Sequence, residues 1–192
     1  MKQLDYKMLI RLGSTCRYLR VLMFDITLWK NCELNFLHGN FVFDIRMLGM
    51  LNRLPIDAIK SIRCCKPLTE DLRFLRFVAE RNPSLERLAL SPIVKDFDVN
   101  LFKHVKSIVL YCNNRDNCLD QLVRVYSHNQ LRDLTFKTLK GLDDTNQKLL
   151  QKLIRNNCES LESLELTCDL DDLTAISMVF RPTFQFYPAK RH

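Results

Sequence analysis

Eight cysteines, four histidines and acidic pairs such as Asp143-Asp144 and Asp171-Asp172 are the residues whose chemistry could reach beyond packing. A zinc site needs closely grouped Cys and His. The chain has no C-x-x-C. Cys64 and Cys65 are adjacent, so on a strand their side chains point to opposite faces. Cys112 and Cys118 stand six apart without a His at ligand spacing. The pattern predicts no metal and no cofactor. A Cys–His nucleophile would require distant residues to meet. His38, His104, His128 and His192 all fall in stretches that read as loops or turns. The acidic pairs precede helical stretches, where capping and the helix dipole account for them. The expectation is a protein that is not an enzyme.

Composition narrows the classes further. The chain has 192 residues, 47% of them hydrophobic and 27% charged, with only 4 Gly and 6 Pro. That suits one core or one short stack of repeats and argues against a long flexible linker. No run of 18 apolar residues is present, so no membrane span or membrane partner is expected. The start, Met1-Lys2-Gln3-Leu4-Asp5, has no signal-peptide pattern. The cysteines are therefore expected as thiols, in the cytoplasm, the nucleus or both. The net charge is +7. Residues 1–30 carry six basic residues against Asp5 and Asp25, a local net of +4. The charges are scattered and lack the interleaved aromatics of a nucleic-acid reader, so the pattern argues against that partner.

The elements that would position any site follow a recurring frame, L-x-x-L-x-L. Clear copies are Leu85-Leu88-Leu90, Val105-Ile108-Leu110, Leu131-Leu134-Phe136 and Leu161-Leu164-Leu166. A weaker copy is Ile59-Ile62-Cys64, and the weakest is Trp29-Cys32-Leu34. First positions at 29, 59, 85, 105, 131 and 161 give steps of 30, 26, 20, 26 and 30 residues. These steps bracket the leucine-rich-repeat range. The stretches from Arg81 to Leu90 and from Arg155 to Leu166 also echo each other directly.

Helical spacing fills the intervals. Residues 43–53, 69–81, 116–127, 143–156 and 171–180 read as helices, and a short turn of helix is expected at 99–104. Asp5 is placed to cap a first short helix, Gly13-Ser14 to interrupt it, and Thr15 to cap a second. Residues 181–192 show no period and read as a tail. An open doubly wound sheet would share the alternation of strand and helix. No Gly-rich phosphate loop follows any strand candidate, and the same frame returns each time, which favours a solenoid.

Within each frame the fourth and sixth positions point inward, and the third, fifth and seventh point to the other face. Those outward positions are mostly small or polar: Ser61, Arg63 and Cys65; Arg87, Ala89 and Ser91; Ser107, Val109 and Tyr111; Asp133, Thr135 and Lys137; Ser163, Glu165 and Thr167. The expected fold is α/β, a leucine-rich-repeat solenoid with short parallel strands on the concave face and helices on the convex face.

Two stretches carry a family resemblance. Asn157-Cys158-Glu159-Ser160-Leu161 through Cys168-Asp169-Leu170-Asp171-Asp172-Leu173 resembles the cysteine-containing class of leucine-rich repeats, and Leu110-Tyr111-Cys112-Asn113 matches its closing half. Leu4-Asp5, Leu9, Leu12, Cys16-Arg17, Leu19-Arg20 and Leu28-Trp29 look like the last two-thirds of an F-box, without its opening Leu-Pro and first helix. The resemblance divides the chain into an incomplete F-box-like helical segment at 1–37, repeats at 38–180 and the tail. It implies a substrate receptor of a Skp–cullin–F-box ubiquitin ligase. Leu9, Leu12, Cys16 and Leu19 would meet or support a Skp-type adaptor. Arg63, Arg87, Tyr111, Asp133, Lys137 and Glu165 would hold a protein substrate. The alternative is a repeat module that binds proteins without a ligase role.

Overall fold

Short apolar strands alternating with helical stretches build one seven-stranded sheet in which every neighbouring pair is parallel. The computed structural model describes residues 6–30, 32–36, 45–65, 69–91, 98–112, 118–138, 142–167 and 185–188. The strands are β1 (Glu33–Phe36), β2 (Ser61–Cys65), β3 (Arg87–Ser91), β4 (Ser107–Cys112), β5 (Asp133–Thr138), β6 (Ser163–Thr167) and β7 (Gln185–Pro188). Each lies beside its predecessor in chain order. Parallel neighbours need a crossover, and from β1 to β6 helices supply it. These are α4 (Ile45–Arg53), α5 (Thr69–Arg81), a 3-10 helix (Val99–Phe102), α6 (Cys118–Val125) and α7 (Asp144–Asn156). The protein is thus α/β with an all-parallel sheet.

The frame explains the register. Ile62, Leu88, Ile108, Leu134 and Leu164 are successive Cα partners across β2 to β6. All five are buried, as are the first-position residues Trp29, Ile59, Leu85, Val105, Leu131 and Leu161. Helix residues Leu75, Val78, Leu122 and Leu153 join them in one apolar core. Each such side chain contributes roughly 1.5–3 kcal/mol on burial. The shortest step, between Leu85 and Val105, has room only for the 3-10 turn, capped by Asp98 through the N–H of Asn100. α5 has the bounds that its periodicity predicts, and it also buries Phe74.

The first copy of the frame is displaced. Leu34, not Cys32, pairs with Ile62. Trp29 lies inside a helix, α3 (Ile26–Lys30), which delays the start of β1 to Glu33. Because strand side chains repeat every two residues, the shift of two keeps Cys32 and Leu34 buried. β1 therefore belongs to the sheet, although residues 1–37 read as a helical segment.

Two further expectations are corrected. Residues 185–188 are not tail but β7, with Phe186 opposite Leu164 and Pro188 opposite Leu166. Its contribution was hidden because Gln-Phe-Tyr-Pro carries one aliphatic-free copy of the pattern. The N-terminal helices also divide differently. α1 (Tyr6–Thr15) runs through Gly13-Ser14, and α2 (Arg17–Leu22) is capped by Cys16 rather than Thr15. The hydroxyls of Ser14 and Thr15 donate back to the carbonyls of Arg11 and Leu12, each at 2.7 Å. Thr15 thus serves the end of α1, and the Cys16 Sγ takes the N–H of Leu19 at 3.4 Å. Gly13 marks a close approach: a Cβ there would lie 2.5 Å from the Met23 sulfur. The expected Asp5 cap and the helix at 171–180 lie outside the described residues.

Candidate functional site

Two surfaces and one set of clamps carry the chemistry of this molecule. The first surface is the outer side of α1 and α2. α2 buries none of its six residues. Met8, Leu12, Tyr18, Val21 and Leu22 are large apolar side chains left exposed. Arg11, Arg17 and Arg20 are exposed among them, and no acidic residue occurs between Tyr6 and Phe24. The inner side holds Leu9, 2% exposed, and Trp29, fully buried, whose indole N–H donates to the Met23 carbonyl at 2.5 Å.

The residues expected at an adaptor are thereby separated. Leu12 and Cys16 are exposed, Leu19 is half-buried, and Leu9 packs in the core. Leu9 holds α1 in place and has no side-chain surface to offer. Met8, Tyr18, Val21 and Leu22, exposed beside Leu12, were not among the residues expected at an adaptor. Their apolar type looks the same whether a helix stripe faces a core or a partner.

The second surface is the face of the sheet opposite the frame leucines. Its residues fall into rows set by the register. The first row is Glu33, Ser61, Arg87, Ser107, Asp133, Ser163 and Gln185, one residue from each strand. The second includes Arg63, Ala89, Val109, Thr135 and Glu165. Tyr111 and Lys137 are partners one row further on.

Of the six residues expected to hold a substrate, two are in direct contact. The Lys137 Nζ lies 2.9 Å from a Glu165 carboxylate oxygen, and the Thr135 hydroxyl donates to the other oxygen at 3.5 Å. Arg63 and Arg87 are on adjacent strands but offset by a row, since Arg63 is opposite Ala89 and Arg87 opposite Ser61. Arg87 is exposed, and Arg63, Tyr111 and Asp133 are half-buried.

The clamps tie each turn to the one before it. The Asn82 Oδ1 accepts the Ile59 N–H at 2.8 Å, while its Nδ2 donates to the Val78 carbonyl at 2.7 Å. The Asn157 Oδ1 accepts the N–H groups of Gln130 and Leu131, and its Nδ2 donates to the carbonyls of Tyr126 and Leu153. Both asparagines are buried, and burial of an amide requires such complete pairing. The echo between the Arg81 and Arg155 stretches was their only trace in the sequence.

Asp57 and Asn129 close the outer side of the same turns. They are the described non-glycine residues with positive φ, at 66° and 43°. Asp and Asn tolerate that conformation better than other side chains. The Asp57 carboxylate accepts the Ser84 N–H at 2.8 Å, takes the Ser84 hydroxyl, and binds the Lys60 Nζ at 2.8 Å. Burial pushes its pKa up, but hydrogen bonds from Lys60 and Ser84 and the Lys60 charge outweigh that and hold it below the usual carboxylate value. The Asn129 Oδ1 makes the corresponding bond, accepting the Glu159 N–H at 3.3 Å, and its Nδ2 donates to the Glu159 carboxylate at 2.8 Å.

Among the described residues no group of three or more His, Cys, Asp and Glu is gathered as metal ligands, and no helix is long and apolar enough to cross a membrane. His104 and His128 are exposed. Cys16, Cys32 and Cys158 are in no disulfide among the described residues. Comparison with models of known protein families and with curated proteins finds no match.

Proposed function

We propose that this protein is a leucine-rich-repeat solenoid that binds other proteins through the polar face of its sheet, and that it serves as the substrate-recognition subunit of a Skp–cullin–F-box ubiquitin ligase. It does so without catalytic groups of its own. Parallel strands that follow one another in chain order, each opened by the same apolar frame, support the solenoid. The single observation that carries the ligase role is the outer side of α1 and α2. There Leu12, Tyr18, Val21 and Leu22 stay exposed between Arg11, Arg17 and Arg20. An adaptor with an acidic, partly apolar groove complements such a face. The polar face of the sheet, with Arg63, Arg87, Tyr111, Asp133, Lys137 and Glu165, then holds the substrate.

A second reading, a repeat module with no ligase role, is favoured by Leu9 and Trp29. Both are in the core, so the N-terminal helices also close the open end of the sheet beside β1. That capping is what a short repeat array needs for stability.

Titration against a purified Skp-type adaptor separates the two. The ligase reading expects binding by the wild type and its loss in Val21→Asp and Leu12→Asp, with the fold retained. No binding by the wild type rejects the ligase role and leaves the repeat module.

A further inference from the structure

The first row of the polar face has an order that composition does not reveal. Arg87 on β3 and Asp133 on β5 are separated only by Ser107 on β4. Ser163 on β6 follows Asp133, and Ser61 on β2 precedes Arg87. Opposite charges thus occupy alternate strands with small hydroxyl residues between them. β1 continues the alternation at its register position with Glu33. Strands are spaced by about 4.8 Å, so the Arg87 and Asp133 positions are about 10 Å apart.

Among the described residues neither Arg87 nor Asp133 forms an ion pair or a side-chain hydrogen bond. Their neighbours on the same face behave differently, since Lys137 and Glu165 neutralise each other. With Ser107 between their strands, Arg87 and Asp133 form no ion pair with each other. Each presents a charge to whatever lies across the strands.

We infer that the row reads the charge order of an extended polypeptide segment lying across the strands, with an acidic residue over Arg87 and a basic residue over Asp133. This rests on the reading of the polar face as the binding surface. An extended segment of the polyproline II type advances about 3.1 Å per residue and returns to the same side every third residue, so the two charged residues would be three apart in the partner. Ser107, small and half-buried, leaves room for a backbone to approach between the two charges. A segment with the reverse order would set like charges against each other, which gives the row a means of rejecting wrong partners and of fixing direction.

Short random peptides displayed on phage, panned on the purified full chain, test this. Retained peptides are expected to carry Asp or Glu and Lys or Arg about three residues apart. Arg87→Glu should lose the selection for the acid, Asp133→Lys the selection for the base, and the double variant should select the inverted order. Selection unchanged by both substitutions but abolished by Tyr111→Ala overturns the charge order and leaves the face as the binding surface. Retention untouched by all of these substitutions, or no retention above bare resin, overturns both. Circular dichroism of each variant confirms the fold before panning.

Discussion

The side-chain carbonyl of Asn157 accepts the backbone N–H of Leu131 at 3.1 Å, joining the turn before β6 to the first residue of the preceding frame. Asn82 does the same for Ile59, three strands earlier. A turn that must be buried next to a sheet has backbone groups without water, and one amide with two donors and two acceptor sites can satisfy several of them.

Asn157→Ala is therefore expected to be among the most destabilising single changes in the chain. It would strand the N–H groups of Gln130 and Leu131 and the carbonyls of Tyr126 and Leu153. Unsatisfied buried groups cost about 1–3 kcal/mol each, and partial relaxation leaves an expected loss of about 3 kcal/mol or more. Urea denaturation followed by circular dichroism measures it. A change below about 1 kcal/mol would show that water or repacking replaces the amide.

Asp57 makes the fold sensitive to acid. Its folded pKa lies below the unfolded value of about 3.9. The linked stabilisation is complete above that unfolded value and is lost as pH falls through the folded one. Asp57→Asn keeps a residue suited to φ 66° and removes the charge. The variant should be less stable than wild type at neutral pH, and the difference should shrink below about pH 4. Denaturation midpoints at neutral and acid pH give the comparison, and a pH-independent difference would assign the effect to geometry alone.

The Lys137–Glu165 pair should matter little to stability. Its side chains are 35% and 39% exposed, and ion pairs with that access to solvent contribute about 0.2–1 kcal/mol. Glu165→Gln is expected to lower stability by less than about 1 kcal/mol. A larger loss in thermal or urea unfolding would mean that this part of the face is structural.

Tyr18 and Val21 should be dispensable for folding. Both are about 70% exposed, at 72% and 69%, and α2 buries nothing. Tyr18→Ser and Val21→Ser are expected to change stability by no more than about 0.5 kcal/mol. Leu9→Ala, in the core, is expected to cost about 2–5 kcal/mol. Equal losses at surface and core positions would mean that α2 packs against the sheet.

Much of the architecture is legible because the information is local. Leu85-Leu88-Leu90 and its later copies name their own strands, since three apolar positions suffice to define a buried face. α5 and α7 announce themselves through apolar spacing, with Asp143 capping α7 by accepting the Asn146 N–H. β7 was not legible. Phe186 and Pro188 make a strand only because β6 offers an edge to pair with. The α1–α2 boundary was misplaced because Thr15 is the stronger cap by residue type, yet its hydroxyl donates to the Leu12 carbonyl and the Cys16 Sγ takes the Leu19 N–H.

The sequence by itself determined α5 and α7, the apolar frame, the +7 charge and the polar character of alternate strand positions. Those depend on residue type and on spacings of two, three or four. Only the tertiary structure decided that β1 enters two residues late and that Leu9 is core while Val21 is surface. It alone set Lys137 against Glu165 and left Arg87 and Asp133 a strand apart on either side of Ser107. Charged residues on different strands become neighbours through register, and register is fixed by burying the whole set of frame leucines together. No local stretch of sequence contains that sum.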